Sequence, residues 1–325
     1  MVKDFFKWYE QRISETTVDP IYIWKHGMKE ADQYRRNGGT INMGDDETKY
    51  IFKMSHSRYY KNHRKEFAAL PVTARMADNR LSLGSELISQ KKYEDFEFLT
   101  AQHHLVQYHH EYYVISPNLL QGYVDYQTAY QISQDGYGDM PLHSKVLRKS
   151  SRLSLKQVLK KKKQFLSIMT EECFDQYIKY LLASVFEFSD DEHSNNIIFV
   201  RNHKSDKFEA LFVFDKESTV FNPLIAKGNK WGEVKYQSVI YDHYVGKFIA
   251  FPGESIIERT REIGELIAKG KLEKKYVDFL NAIANYDYCE TAKRVYHETG
   301  KRVNQMQIDM YRVGSEYAAQ ALEMQ

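Results

Sequence analysis

Two apolar runs constrain this chain more than any other feature: IIFVR, Ile197 to Arg201, and ALFVF, Ala210 to Phe214. Only the polar stretch NHKSDKF and one glutamate separate them. Two strand-like runs with a short polar connection predict an antiparallel hairpin. In such a hairpin the start of the first strand lies beside the end of the second. Asn196 and Asp215, 19 positions apart in sequence, are therefore expected at one mouth. The stretch SDDEHSNN, Ser189 to Asn196, leads into that mouth with acids, a histidine and two amides.

An amide oxygen and a carboxylate at a strand mouth are hard oxygen ligands, suited to Mg²⁺ that also binds phosphate oxygens. Asp191, just upstream, can accept a proton or orient a nucleophile. This is the catalytic half of a phosphotransferase, where position and charge neutralisation outweigh acid–base chemistry. Polar residues that merely cap a hairpin are the competing reading. A D-x-H-x-x-N string alone does not exclude it.

The remainder of the chain is organised around this point. With 325 residues it is long enough for two lobes or domains. Its net charge of +2 gives no overall pull toward nucleic acid or membrane. Cys173 and Cys289 lack metal-ligand spacing and read as reduced thiols. Residues 1–35 read as helical, with Phe5, Trp8 and Tyr9 at helical spacing. Arg35–Asp46, RRNGGTINMGDD, reads as a turn region. KYIFKM, Lys49 to Met54, reads as a strand with Lys49 and Lys53 on one face. RKEFAALPVTARMA begins a helix, and 95–115 predicts two strands and a turn. Beyond Ser116-Pro117-Asn118 the chain reads as mostly helical apart from the hairpin. There Phe174, Ile178, Leu181 and Val185 form the stripe of a buried amphipathic helix.

With these residues in place, the chain resembles the HipA-like serine/threonine kinases. The D-x-H-x-x-N motif is matched by Asp191, His193 and Asn196, and the metal-binding Asp by Asp215 in VFDKES, followed by Ser218. Lys53 matches the phosphate-contacting lysine, and Glu66 the helix acid that pairs with it. Gly38, Gly39 and Thr40 stand where the family's phosphate loop would be, though the glycines are sparse. The resemblance covers roughly residues 35–300.

It implies an α+β, two-lobed protein-kinase-like fold: a small β-rich N-lobe over 1–116 and a larger helical C-lobe over 117–325. It implies ATP and Mg²⁺ as cofactors. Asp191 is expected to act on the acceptor hydroxyl, with His193 bracing the loop, and Asn196 and Asp215 to hold the metal. Lys53 and Glu66 are expected at the phosphates, and the crossing around Ser116 and Asn118 at the adenine. The partners it implies are a protein substrate with a Ser or Thr acceptor and an antitoxin or host protein. Direct nucleic-acid binding and a membrane span are not expected. The expected location is cytoplasmic, with export into a host cell as the alternative. Autophosphorylation and a toxin or effector role fit the same family.

Two other functions use the same residues. A lipid, inositol-phosphate or small-molecule kinase shares the metal constellation. A pseudokinase binding module is the third reading, against which stands the joint presence of Lys53, Asp191, Asn196 and Asp215. Lys49 competes with Lys53 for the phosphate role. His103-His104 and His109-His110 read as strand residues that point to opposite faces and do not share one ion. Lys160–Lys163 reads as a solvated helix face, and Trp231 as a packing residue.

Overall fold

The computed structural model describes residues 39–42, 49–54, 84, 86–101, 103–108, 111–117, 124–128, 155–187, 197–202, 205–213, 247–248, 251–252, 256–300, 302–303 and 305–324. They form an α+β fold with two four-stranded sheets and a helix-rich body.

The first sheet is antiparallel throughout, in the order β1 (Gly39–Asn42), β2 (Lys49–Met54), β5 (Glu111–Pro117), β4 (His104–Tyr108). The β4–β5 hairpin realises the two strands expected between 95 and 115. β1 corrects the turn read over Arg35–Asp46. Gly39 and Thr40 are strand residues opposite Phe52 and Ile51. Glycine and asparagine are poor strand formers, and pairing with β2 overrides that preference.

The second sheet has the order β3 (Leu99–Thr100), β8 (Ala210–Val213), β7 (Ile197–Asn202), β6 (Val124–Thr128). β3 runs parallel to β8, and the other pairs are antiparallel. β6 corrects the expectation of mostly helix beyond 120. Val124, Tyr126 and Thr128 alternate with Asp125 and Gln127, a strand signal only five residues long, and pairing with β7 realises it. A two-stranded ribbon, β9 (Lys247–Phe248) with β10 (Phe251–Pro252), completes the described β-structure.

Helix α1, over 86–95, ends in a Schellman motif. The Phe98 N–H donates to the Tyr93 carbonyl (2.9 Å) and the Glu97 N–H to that of Glu94 (2.9 Å). Glu97 occupies the left-handed position at φ 61°, where glycine is usual. The ring of Phe98 closes the motif edge-on against Tyr93 at 5.2 Å. This turn occupies Phe96–Glu97, so the aromatic run there contributes only the two-residue strand β3.

α2 (Leu155–Lys160) and α3 (Lys162–Leu166) lead to α4 (Glu171–Phe186). Thr170 caps α4 by accepting from the Cys173 N–H, and Glu171 and Glu172 complement the helix dipole. Phe174, Ile178, Leu181 and Val185 are all buried, as their spacing predicts. The α4 N-terminus is also tied to the hairpin. The Thr170 N–H donates to the Phe208 carbonyl (2.8 Å), and the Phe208 N–H to that of Ile168 (2.9 Å). Phe199 of β7 packs between Tyr177 and Phe208.

Four helices complete the body: α5 (Ile256–Ala268), α6 (Lys274–Ala284), α7 (Tyr288–Thr299) and α8 (Gln305–Glu323). α8 runs against α5 and α6. Tyr311 of α8 stacks on Tyr288 at 4.7 Å and shares a hydrogen bond with Ser89 of α1 (2.9 Å). At Gly264 of α5 an added Cβ would meet the Met324 Sδ at 2.7 Å, so the close approach of α5 to the end of α8 requires glycine. α1 and Phe98, the residue just before β3, belong to the same apolar core as these helices. Among the described residues no helix is long and apolar enough to cross a membrane.

Candidate active site

The hairpin is built as the two apolar runs predict. Its register pairs Ile197 with Val213, Ile198 with Phe212, Phe199 with Leu211 and Val200 with Ala210. The start of β7 thus lies beside the end of β8. Asn196 immediately precedes Ile197 in the chain, and Asp215 follows Val213 by two positions. Asp191, His193, Asn196 and Asp215 themselves lie outside the described residues, as do Gly38, Glu66, Asn118, Ser218, His109, His110 and Trp231.

The first sheet gathers other expected site positions. Lys53 is opposite Val114 on β5, and Ser116 is opposite Ile51. Gly39, opposite Phe52, is on the strand beside Lys53. Lys49 is opposite Asn42 at the other end of β2. Lys53, Gly39, Thr40 and Ser116 therefore share one antiparallel sheet, while the hairpin belongs to the other.

The C-terminus of α4, which precedes the Ser189–Asn196 stretch in the chain, is anchored by a buried ion pair that sequence reading missed. Glu187 is the C-cap of α4, four positions before Asp191. The Lys92 Nζ donates to its Oε1 at 3.0 Å, and both side chains are fully buried. The Tyr93 hydroxyl donates to its Oε2 at 2.8 Å. The rings of Phe96 and Tyr288 flank the Lys92 ammonium at 5.7 and 5.5 Å. Burial pushes the Lys92 pKa down, and the Glu187 carboxylate opposes that shift. The sequence offers KKYEDF and an acid at the end of an apolar helix. Neither says which lysine turns inward.

At the far end of the hairpin, Glu209 presents the opposite case. It is buried, and neither of its carboxylate oxygens has a hydrogen-bond partner among the described residues. Burial pushes the nearby Cys173 thiol pKa well up, with Glu172 and Glu209 adding to the shift. Two further polar contacts bear on the sequence reading. His103 meets Glu86 of α1 at 2.9 Å just before β4 begins at His104. In the lysine cluster, Lys162 reaches Glu273 (3.0 Å) and Glu171 (3.4 Å), while Lys160, Lys161 and Lys163 are exposed. Among the described residues no group of three or more His, Cys, Asp or Glu side chains is placed to hold a metal ion.

No family model matches the chain, and no curated protein matches it. Several solved structures share a distant likeness. A proinflammatory kinase of Helicobacter pylori, CtkA, matches with a TM-score of 0.42 and 12% identity over 87% of this chain and 88% of that one. HipA of Shewanella oneidensis, solved with HipB and its operator DNA, matches with a TM-score of 0.44 and 10% identity over 100% of this chain and 70% of that one. The aerobactin synthetase IucA of Klebsiella pneumoniae matches with a TM-score of 0.25 and 12% identity, covering 90% of this chain and 53% of that one. We carry no residue role across from any of them.

Proposed function

We propose that the chain is a HipA-like protein kinase that transfers the γ-phosphoryl group of ATP to a Ser or Thr hydroxyl. The observation that carries this reading is the hairpin register, Ile197 opposite Val213. By chain continuity it supports a shared mouth for Asn196 and Asp215, whose hard oxygens suit Mg²⁺. The ion would neutralise phosphate charge there. Asp191 orients the acceptor hydroxyl and takes its proton. The hydroxyl oxygen forms the new bond to the γ-phosphorus, and the bond to the bridging oxygen breaks to release ADP. His193 braces the loop. Lys53, paired with Glu66, faces the α- and β-phosphates. Gly38, Gly39 and Thr40 line the phosphate edge, and Ser116 and Asn118 the adenine edge. The two lobes of this reading are 1–116 and 117–325. Its partners are a protein substrate and a separate antitoxin or host protein.

Intact-mass spectrometry after incubation with ATP and Mg²⁺, beside Asp215→Ala, tests it. A phosphoryl gain in the wild type alone is expected, and mapping the modified residue reads the hydroxyl preference. Asp191→Asn should retain nucleotide affinity and lose transfer; loss of binding instead would make Asp191 a ligand. Lys53→Ala should weaken ATP binding and Lys49→Ala should not, with the reverse result moving the lysine role. A wild type that is neither phosphorylated nor stabilised by nucleotide would leave a binding module.

A further inference from the structure

We propose that Lys92, Glu187 and Tyr93 form a positioning device that fixes where the candidate catalytic loop leaves helix α4. The inference rests on the kinase reading for its functional consequence, but its structural part stands alone. Three elements meet at one carboxylate: α1 through Lys92 and Tyr93, α4 through Glu187, and α7 through the Tyr288 ring over the ammonium. A carboxylate at a helix C-terminus opposes the helix dipole. A buried ion pair is also no more stabilising, as a rule, than apolar side chains of similar volume. Cohesion alone therefore does not account for a fully buried pair at this point. What the pair provides is direction. Two hydrogen bonds, one on each oxygen, fix the Glu187 side chain and with it the C-cap of α4, after which the sequence continues to Ser189–Asn196. Asp191 and Asn196 follow that C-cap in the chain by four and nine positions. Sub-ångström placement decides in-line phosphoryl transfer, so a pair that touches neither nucleotide nor acceptor still governs the rate.

The test uses the double variant Lys92→Met/Glu187→Leu, which removes both charges and keeps the volume apolar. Amide hydrogen exchange is measured over 171–182 and over 188–196. The expected result is exchange about tenfold faster over 188–196 with 171–182 unchanged. In the same variant kcat should fall about ten- to hundredfold with the KM for ATP within about twofold. Unchanged exchange over 188–196 in the folded variant overturns the proposal. So does unprotected exchange there in the wild type, or an effect confined to KM. If the double variant does not fold, Tyr93→Phe, which removes one hydrogen bond, should shift 188–196 in the same direction. No shift in Tyr93→Phe then overturns the proposal. A wild type that turns over no ATP defeats the kinase reading, while the exchange result still decides the anchor.

Discussion

Glu187 and Glu209 are both buried glutamates flanking the same hairpin, and they could hardly be treated more differently. Glu187, on the approach to β7, has a lysine on one oxygen and a tyrosine hydroxyl on the other. Glu209, just before β8, has a hydrogen bond to neither among the described residues. Desolvating a carboxylate is costly unless it is paired and hydrogen-bonded. The difference teaches that the carboxylate at the α4 C-cap, on the sequence approach to the hairpin, is satisfied and directed. The far end carries the desolvation cost of a buried polar group, which the surrounding apolar core has to offset.

The sharpest way to break this contrast is Lys92→Met. It leaves Glu187 buried and uncompensated, so a loss of about 3–5 kcal/mol is expected in urea unfolding. Adding Glu187→Leu should recover most of it. If it does not, the pair contributes cohesion as well as position. Next in size is Glu209→Met, expected to stabilise by about 1–3 kcal/mol because it removes a buried carboxyl group without a hydrogen-bond partner among the described residues. Destabilisation there would mean that the acid has an undetected role and that the contrast is false.

Smaller effects sharpen the comparison. Thr170→Ala removes the α4 cap beside the far end of the hairpin and should cost about 1 kcal/mol. A comparable gain, about 1 kcal/mol, is expected for Glu97→Gly, which relieves a left-handed non-glycine residue. Gly270 occupies the same conformation at the end of α5, with the Lys271 N–H donating to Leu266 and its own to Ile267. The comparison isolates what the missing side chain is worth.

The smallest effect concerns Asp95, a partly exposed acid clamped by Arg294 and Tyr286. Partial burial pushes its carboxyl up, but the hydrogen bonds from Arg294 and Tyr286 outweigh that and hold it below its usual range. Its contribution is therefore present above the unfolded carboxyl's pKa and lost as pH falls through the lower folded one. Solvent screening limits it to about 0.5 kcal/mol. Asp95→Asn should lower the urea midpoint slightly at neutral pH and converge with the wild type in acid. A difference that persisted below that titration would assign the effect to packing.

The elements that could be read from the chain are those whose signal is local. The stripe of Phe174, Ile178, Leu181 and Val185 repeats at helical spacing, and α4 follows. The runs IIFVR and ALFVF are bounded by polar residues, and β7 and β8 pair as expected. β1 was not legible, because GTIN carries no local strand signal and pairs with β2 all the same. β6 was obscured although VDYQT alternates, because five residues are too short a signal beside a long helical stretch. The candidate site divides in the same way. The hairpin premise behind Asn196 and Asp215 was readable from local pattern. The gathering of Lys53, Gly39, Thr40 and Ser116 required the order of a four-stranded sheet.

Local periodicity and turn chemistry thus determined by themselves the α4 helix, the β4–β5 and β7–β8 hairpins and the order of the candidate motifs. Tertiary structure alone decided between Lys91 and Lys92. The first sits partly exposed between Glu94 and Glu298, and the second turns inward to Glu187, 95 residues away. Side-chain periodicity states which face of a helix a residue occupies, but a partner nearly a hundred residues distant is fixed only when three helices close around it. Burial then makes that one contact obligatory, because a charge withdrawn from water must find its counter-charge in the fold.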